Sequence, residues 1–106
     1  MISLDKENNI TISHGDTLPI EFIIDEPLSA GDAAVFSIKK GTLTLCSAEY
    51  SGEGSTNLSF VISKDDMAKL DIGKYIYDLH FNYAGGVRYT ADFVRRLEVV
   101  QVAHEV

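Results

Sequence analysis

The three histidines are the residues whose chemistry most readily suggests a metal site or acid–base catalysis. His14 lies in a predicted turn, His80 on a predicted strand and His104 in the C-terminal tail. None has a histidine partner at i+2 or i+4, the spacing that places two ligands side by side on a strand or a helix. We therefore expect all three at surface or rim positions and predict no metal ligand.

The adjacent acids Asp65 and Asp66 could serve as a pair of cation ligands. They also follow Ser63 at the start of residues 63–70, the one helical pattern in the chain, where Met67 and Leu70 lie three residues apart. A serine at the N-cap and acidic residues in the first turn stabilise a helix start without any cation. The capping interpretation accounts for both acids and predicts one short helical turn.

Nucleophilic catalysis has no recognisable signature in this chain. A Gly-x-Ser-x-Gly nucleophile elbow is absent, and residues 52–55, Gly-Glu-Gly-Ser, lack the strand-to-helix context of a phosphate-binding loop. Cys46 is the single cysteine and lies in an alternating apolar–polar run, which is typical of a small strand residue. We predict that the protein is not an enzyme and has no catalytic, cofactor-binding or metal-binding residue and no cofactor.

Aromatic residues raise a different possibility, a carbohydrate- or ligand-binding module, because exposed rings can stack on sugars. The chain has five tyrosines and no tryptophan: Tyr50, Tyr75, Tyr77, Tyr83 and Tyr89. Three of them share one face of the predicted strand 73–83 with two other apolar residues: Tyr75, Tyr77, Leu79, Phe81 and Tyr83. We expect this face in the core, with hydroxyls at its margin. Tyr89, near a predicted hairpin turn, is the ring expected to be exposed.

The strand 73–83 is the element around which the other predictions are organised. Its second face carries mainly polar residues, as expected of a strand packed on one side: Lys74, Ile76, Asp78, His80 and Asn82. Residues 84–86, Ala-Gly-Gly, predict a hairpin turn, and residues 87–93 predict the antiparallel return strand. Asp78 and Arg88 are expected to form an outward-facing cross-strand pair.

The remaining alternating runs are separated by turn residues. They predict strands at 10–13, 18–24, 33–40, 42–50, 57–62 and 94–102, with a tail at 103–106. Pro19 cannot donate a hydrogen bond to a sheet, so the start of its strand is expected at an edge or outside the pairing of the sheet. Short strands at this spacing predict an immunoglobulin-like antiparallel β-sandwich of seven to eight strands in a single domain, residues 1–106. The paired cysteines and the tryptophan of antibody domains are absent.

Charge and segment composition exclude several function classes. The formal net charge is −7, and the adjacent pair Arg95 and Arg96 is too short for a basic stripe, so we predict no nucleic-acid partner. The first nine residues have no basic and apolar signal pattern, and no run approaches the roughly 20 apolar residues of a membrane span. We expect no membrane association and a cytoplasmic protein, unless a larger assembly carries it out.

Four short motifs, in order, resemble the small β-sandwich domains of tailed-phage tail and baseplate proteins, most closely the N-terminal domain of the baseplate upper protein. They are HGDT at 14–17, FSIK at 36–39, FVISKDD at 60–66 and LDIGKYIYDL at 70–79, and the resemblance spans about residues 10–102. The chain departs from the family pattern at Arg95 and Arg96, where the family tends to have a glycine before its closing strand. It also departs after Thr90, where Ala91-Asp92-Phe93 follows.

The resemblance implies a non-catalytic structural module of a phage or prophage virion. Its partners would be sister subunits, giving a possible homo-oligomer, or neighbouring phage structural proteins, contacted through sheet edges and loops. No functional residue transfers from the family, because the matching positions are strand and turn residues that the fold itself requires.

Overall fold

Strands dominate the described part of the chain. The computed structural model describes residues 2–84 and 88–101, with residues 88–93 described at the level of the backbone. The elements in chain order are β1 (Ile2–Leu4), β2 (Ile10–Ser13), β3 (Leu18–Ile23), β4 (Ala33–Lys40), β5 (Leu43–Tyr50), β6 (Asn57–Ile62), α1 (Lys64–Ala68), β7 (Gly73–Asn82) and β8 (Arg88–Val100). The predicted turn glycines Gly85 and Gly86 and the predicted tail 103–106 lie outside the described residues.

The strands form two sheets. One has six strands in the order β1-β2-β8-β7-β4-β5, and the other contains β3 and β6. Paired strands are antiparallel except β2 and β8, which run parallel. The predicted all-β sandwich is confirmed. The sequence did not predict the division into a six-stranded and a two-stranded sheet or the parallel pair, because alternation along a strand shows its two faces but not its neighbours.

Aromatic rings join the two sheets at the centre of the core. Phe36 of β4 and Tyr77 of β7 lie 5.4 Å apart between ring centroids, and Phe60 of β6 lies 5.9 Å from Phe36. Such tilted pairs contribute about 0.5–1.5 kcal/mol each beyond area burial. The inward apolar faces supply the rest of the buried core: Ile10, Ile12, Leu18, Leu28, Ala34, Ile38, Leu58, Ile62, Met67, Leu70, Tyr75, Leu79, Leu97 and Val99. The predicted core positions of Tyr75, Tyr77 and Leu79 are confirmed.

The helical turn forms as predicted. Ser63 is the N-cap of α1, and its hydroxyl oxygen accepts a hydrogen bond from the Asp66 backbone N–H at 3.2 Å. Asp65 and Asp66 occupy the first turn, where their charge suits the helix dipole. Met67 and Leu70 are buried in the core. The acids therefore have the helix-capping environment that the sequence indicates.

Strand β1 was not predicted, because the opening residues look polar and the strand is only three residues long. The turn that returns it to β2 has identifiable causes. The Asp5 carboxylate accepts hydrogen bonds from the backbone N–H groups of Glu7, at 2.8 Å, and Asn9, at 2.9 Å, and Asn8 has φ 65°. Asparagine is among the few residues that adopt this left-handed conformation readily. Asp5 and Asn8 are therefore the residues in the sequence that could have indicated a turn here.

Strand β8 is one continuous element where two were predicted, at 87–93 and 94–102. No glycine or proline interrupts residues 88–100, so nothing local ends the strand. Its register with β7 changes instead: Asp78 is paired with Val94 and His80 with Thr90. Residues 91–93 therefore stand opposite the single residue Leu79, which is a bulge in β8.

Candidate functional site

A buried polar cluster occupies the outer face of the large sheet, the face turned away from β3 and β6. The Lys39 ammonium lies 2.7 Å from Asp78 Oδ2, and His80 Nδ1 lies 3.5 Å from Asp78 Oδ1. The side chains of Asp78 and His80 are 6% and 10% exposed. We call these three residues the Lys39–Asp78–His80 cluster. The surface or rim position predicted for His80 is therefore wrong, whereas Asp78 lies on the outward face as predicted but is buried there.

The error follows from the position of β7 in the sheet. Alternation correctly assigns Asp78 and His80 to the face opposite the core, but β7 is flanked on both sides, by β4 and β8. Lys39 reaches across from β4 to contact Asp78 on this polar face. The predicted pair of Asp78 with Arg88 is also wrong, because the register pairs Arg88 with Asn82 and Asp78 with Val94.

The cluster holds charge rather than a reactive group. Asp78 Oδ1 and His80 Nδ1 are both buried, and neither has a hydrogen-bond partner among the side chains and backbone groups that the structure describes. The Lys39 ammonium already neutralises Asp78 and would repel a cation. Among the described residues, no three histidine, cysteine or acidic side chains converge as a metal site.

The other histidines take no part in this cluster. His14 lies in the turn after β2, half-buried, and its backbone N–H donates to the Val100 carbonyl at 2.8 Å. This bond extends the parallel pairing of β2 and β8 by one residue. The rim position predicted for His14 is confirmed, and His104 lies outside the described residues.

Cys46 is half-buried on the inward face of β5, as expected of a small strand residue. Its thiol lies 3.7 Å from the Asp66 backbone carbonyl in donor geometry. Burial, and the negative charge of Asp66 next to it, raise the pKa of the thiol, while Lys69 opposes them. A raised pKa keeps the sulfur protonated near neutral pH, and the thiolate is the reactive form.

The aromatic face of β7 leaves the core at its C-terminal end. Phe81 is half-buried and Tyr83 is 39% exposed, and their rings stack at 6.1 Å with planes 9° apart. The core position predicted for Tyr83 is wrong, because β7 ends at Asn82 and the Tyr83 side chain that follows it is exposed. Tyr50 is half-buried with its hydroxyl 3.0 Å from Ser55 Oγ. The Tyr89 side chain lies outside the described part of the structure.

The stacked rings form one wall of a cleft of about 670 Å³. The opposite wall is the loop after β3, which carries the exposed acids Asp25 and Glu26. Asp32, also in the wall, is engaged in the loop itself: its carboxylate accepts hydrogen bonds from the backbone N–H groups of Ser29, at 3.1 Å, and Ala84, at 2.9 Å. Aromatic rings beside acidic side chains could hold a polyhydroxylated ligand.

A second, smaller groove of about 300 Å³ runs beside β3, between the small sheet and the β1–β2 turn. Its apolar walls come from Leu4, Phe22 and Tyr77, and Asn8 lies at its end. The Tyr77 hydroxyl donates to the Asn8 carbonyl, and Arg95 Nε donates to the Glu7 carbonyl at 2.8 Å. These two bonds hold the turn against β7 and β8 and so keep the groove open.

Exposed apolar side chains concentrate on the outer surfaces of the strands. On the small sheet, Ile23 of β3 is 78% exposed and Val61 of β6 is 61% exposed. Leu4 of β1 and Leu43 of β5 are exposed at the two ends of the large sheet. Sequence alternation placed Ile23 and Val61 on the outward faces, but the prediction named no interaction residue, because a single outward apolar residue is common on protein surfaces.

The fold and these surfaces define an all-β sandwich with exposed apolar side chains on its strands and open clefts. No protein-family model matches this chain, and a search of the curated proteins finds no match either. Within residues 2–84 and 88–101, no helix has the length and apolar character that crossing a membrane requires.

Proposed function

We propose that this protein is a non-catalytic structural module of a phage or prophage tail or baseplate, and that it acts by contact with neighbouring protein subunits. The phage origin is supported by the resemblance of the motifs at 14–17, 36–39, 60–66 and 70–79 to tail and baseplate domains. The virion would then be its final location. The contact role is supported by the surface of the sandwich.

The outer face of the small sheet carries the argument for protein contact. Val61 exposes most of its side chain at one end of the strand pair, next to its partner Pro19, and Ile23 does so at the other end, opposite Asn57. Exposed apolar surface stabilises a complex by about 25 cal/mol per Å² when a partner covers it. The Glu21–Ser59 pair lies between the two apolar positions on this face, so the face offers a partner an apolar contact on each side of a polar one.

The test combines gene neighbourhood with assembly in solution. If the proposal holds, adjacent genes encode tail or capsid components, and light scattering after size-exclusion chromatography shows a complex with one of their products or a homo-oligomer. The double variant Ile23→Glu/Val61→Glu should weaken that assembly. Ile72→Glu, at an exposed apolar residue between α1 and β7, is the matched control. A strict monomer encoded among metabolic genes, with no assembly partner among its neighbours, would overturn the proposal.

A second candidate, a carbohydrate-binding module, is favoured by one observation, the exposed stacked pair of Phe81 and Tyr83 in the acidic cleft. A glycan array probed with the purified protein tests it. Binding to a defined glycan that Tyr83→Ala abolishes and Ile72→Ala preserves would support this role. No glycan binding, or binding that Tyr83→Ala leaves unchanged, would reject the cleft as a sugar site.

A further inference from the structure

Among the strands that the structure describes, β3 pairs only with β6 and leaves its other edge unpaired. The hydrogen bonds to β6 show which residues face that edge. The Ile24 backbone N–H donates to the Thr56 carbonyl at 2.9 Å, and the register pairs Ile23 with Asn57 and Glu21 with Ser59. Residues of an antiparallel pair alternate between bonding to the partner strand and pointing away from it. The N–H and C=O groups of Glu21 and Ile23 therefore point away from β6.

Pro19, Glu21 and Ile23 are every second residue of β3, so their backbone nitrogens face the same edge. The N–H group that Pro19 lacks would therefore have pointed toward the free edge. This explains why a proline is tolerated inside the β3–β6 pairing. A proline shortens the usable edge at its start and leaves the donors and acceptors of Glu21 and Ile23 available. An edge of this kind accepts an added strand from another polypeptide.

The groove described above runs along this edge. An added strand would turn alternate side chains toward Leu4, Phe22 and Tyr77, which form the apolar walls. The Phe22 and Tyr77 rings lie 6.4 Å apart, so the floor beneath the added strand is aromatic. The side chains pointing the other way would lie beside Glu21 and Ile23 on the outer face. The occupant must therefore alternate apolar residues with residues that suit an acidic surface.

The acidic side chains on β3 and in the loop that follows it favour a basic partner. No lysine or arginine occurs between Lys6 and Lys39, whereas Glu21 lies on β3 and Asp25 and Glu26 follow it directly. Two copies of this chain pairing through β3 would bring their Glu21 carboxylates opposite or diagonal to each other, and each chain carries a net charge of −7. Like charges at these positions destabilise a strand pair. A basic partner segment gains from the same charges.

We propose that the free edge of β3 is a strand-addition site for an extended segment of a partner protein in which basic and apolar residues alternate. The inference rests on the proposed assembly function and specifies the surface and the chemistry of the partner. The segment needs about five to six residues to span β3, given a rise of about 3.3 Å per residue.

A labelled synthetic peptide provides the test. The probe is a fluorescein-tagged peptide with three Lys-Val repeats, titrated with the protein and followed by fluorescence anisotropy. Saturable binding is expected, and Glu21→Lys should weaken it by about tenfold or more. Glu49→Lys makes the same charge change on the exposed outer face of β5 and should alter affinity by less than about twofold, since screening limits the reach of a distant charge.

Two further measurements separate strand addition from charge attraction alone. A peptide of the same sequence with N-methyl groups on alternate backbone nitrogens keeps its charge but cannot donate to the β3 edge, so its binding should fall by about tenfold. Amide chemical-shift changes on adding the unmodified peptide should centre on Glu21 and Ile23. Equal binding of the methylated peptide, insensitivity to Glu21→Lys, or shifts centred on another surface would each overturn the inference.

The outcome is distinguishable from that of the assembly proposal. If neighbouring gene products bind the protein but Glu21→Lys and the peptide show no β3 site, the assembly function stands and the strand-addition inference fails. If the peptide binds at β3 while no assembly partner is found, the site stands and the phage assembly role fails.

Discussion

Replacing Tyr77 by phenylalanine tests how the β1–β2 turn is held to the sandwich. The Tyr77 ring is buried between the sheets, and its hydroxyl donates to the Asn8 carbonyl. Removing a hydrogen bond leaves a cost of about 1–3 kcal/mol when the remaining group is buried. Asn8 is exposed, so water can reach its carbonyl after the change. We therefore expect Tyr77→Phe to lower the free energy of unfolding by about 1 kcal/mol near neutral pH.

The same substitution has a larger effect on the pH dependence of stability. Burial raises the pKa of Tyr77 to about 12, with Arg95 opposing the rise, whereas a tyrosine in the unfolded chain has a pKa of about 10. Because the folded-state pKa is the higher one, the protonated phenol contributes stability that is fully present below about pH 10 and is lost between about pH 10 and 12. Two pKa units correspond to about 2.7 kcal/mol in all, of which about half is lost by pH 11.

Urea unfolding followed by circular dichroism at about pH 8 and about pH 11 measures both effects. From about pH 8 to about pH 11, the free energy of unfolding should fall by about 1.4 kcal/mol more in the wild-type protein than in Tyr77→Phe. The comparison cancels other alkaline titrations, including that of Tyr75, whose pKa is also raised by burial. Equal losses in the two proteins would refute the argument, because they would mean that Tyr77 ionises as readily in the folded state as in the unfolded one.

Three further changes test other parts of the fold. Lys39→Met should lower the free energy of unfolding, measured by chemical denaturation, by about 3–5 kcal/mol because it leaves the buried Asp78 charge uncompensated. Adding Asp78→Leu to the same chain should recover much of that loss. Equal stability of the single and double variants would contradict the buried-pair explanation. Cys46 should react with iodoacetamide at about pH 8 at least several-fold more slowly in the folded protein than in urea, because its raised pKa lowers the fraction of reactive thiolate. Mass spectrometry measures both rates, and equal rates would contradict the prediction. Ser63→Ala should lower the free energy of unfolding by about 1 kcal/mol through loss of the hydrogen bond from the Asp66 N–H, whereas Ser63→Asp should retain most of the wild-type stability. An equal loss of stability in both variants would show that the N-cap hydrogen bond is not the cause.

Local patterns predicted much of the secondary structure correctly. Alternation over 57–62 and 73–83, the capping serine at Ser63 and the turn glycine Gly15, at φ 82°, all act within a few residues, so the sequence shows them directly. The three-residue strand β1 and the undivided β8 were missed for the same reason. A three-residue strand carries too little pattern, and a bulge in β8 is visible only against its neighbour β7.

Surface features were harder to predict than strands. Ile23 and Val61 could be assigned to outward faces, but their position on the outer face of the same two-stranded sheet depends on β3 pairing with β6. Which residues of β3 direct their backbone groups toward the free edge, Pro19 and Glu21 among them, likewise depends on which strand lies beside β3. The alternation predicts a core position for Tyr83, but the strand ends one residue earlier, at Asn82, and the side chain is exposed.

By itself, the sequence determined the all-β class, the inward faces of the strands, the capped helical turn and the acidic character of the chain, because each depends on local periodicity, on turn chemistry or on composition. Tertiary structure alone decided the parallel pairing of β2 with β8, the burial of the Lys39–Asp78–His80 cluster and the free edge of β3. These features depend on which strands become neighbours. That choice is made by packing between residues far apart in the chain, and no local pattern records it.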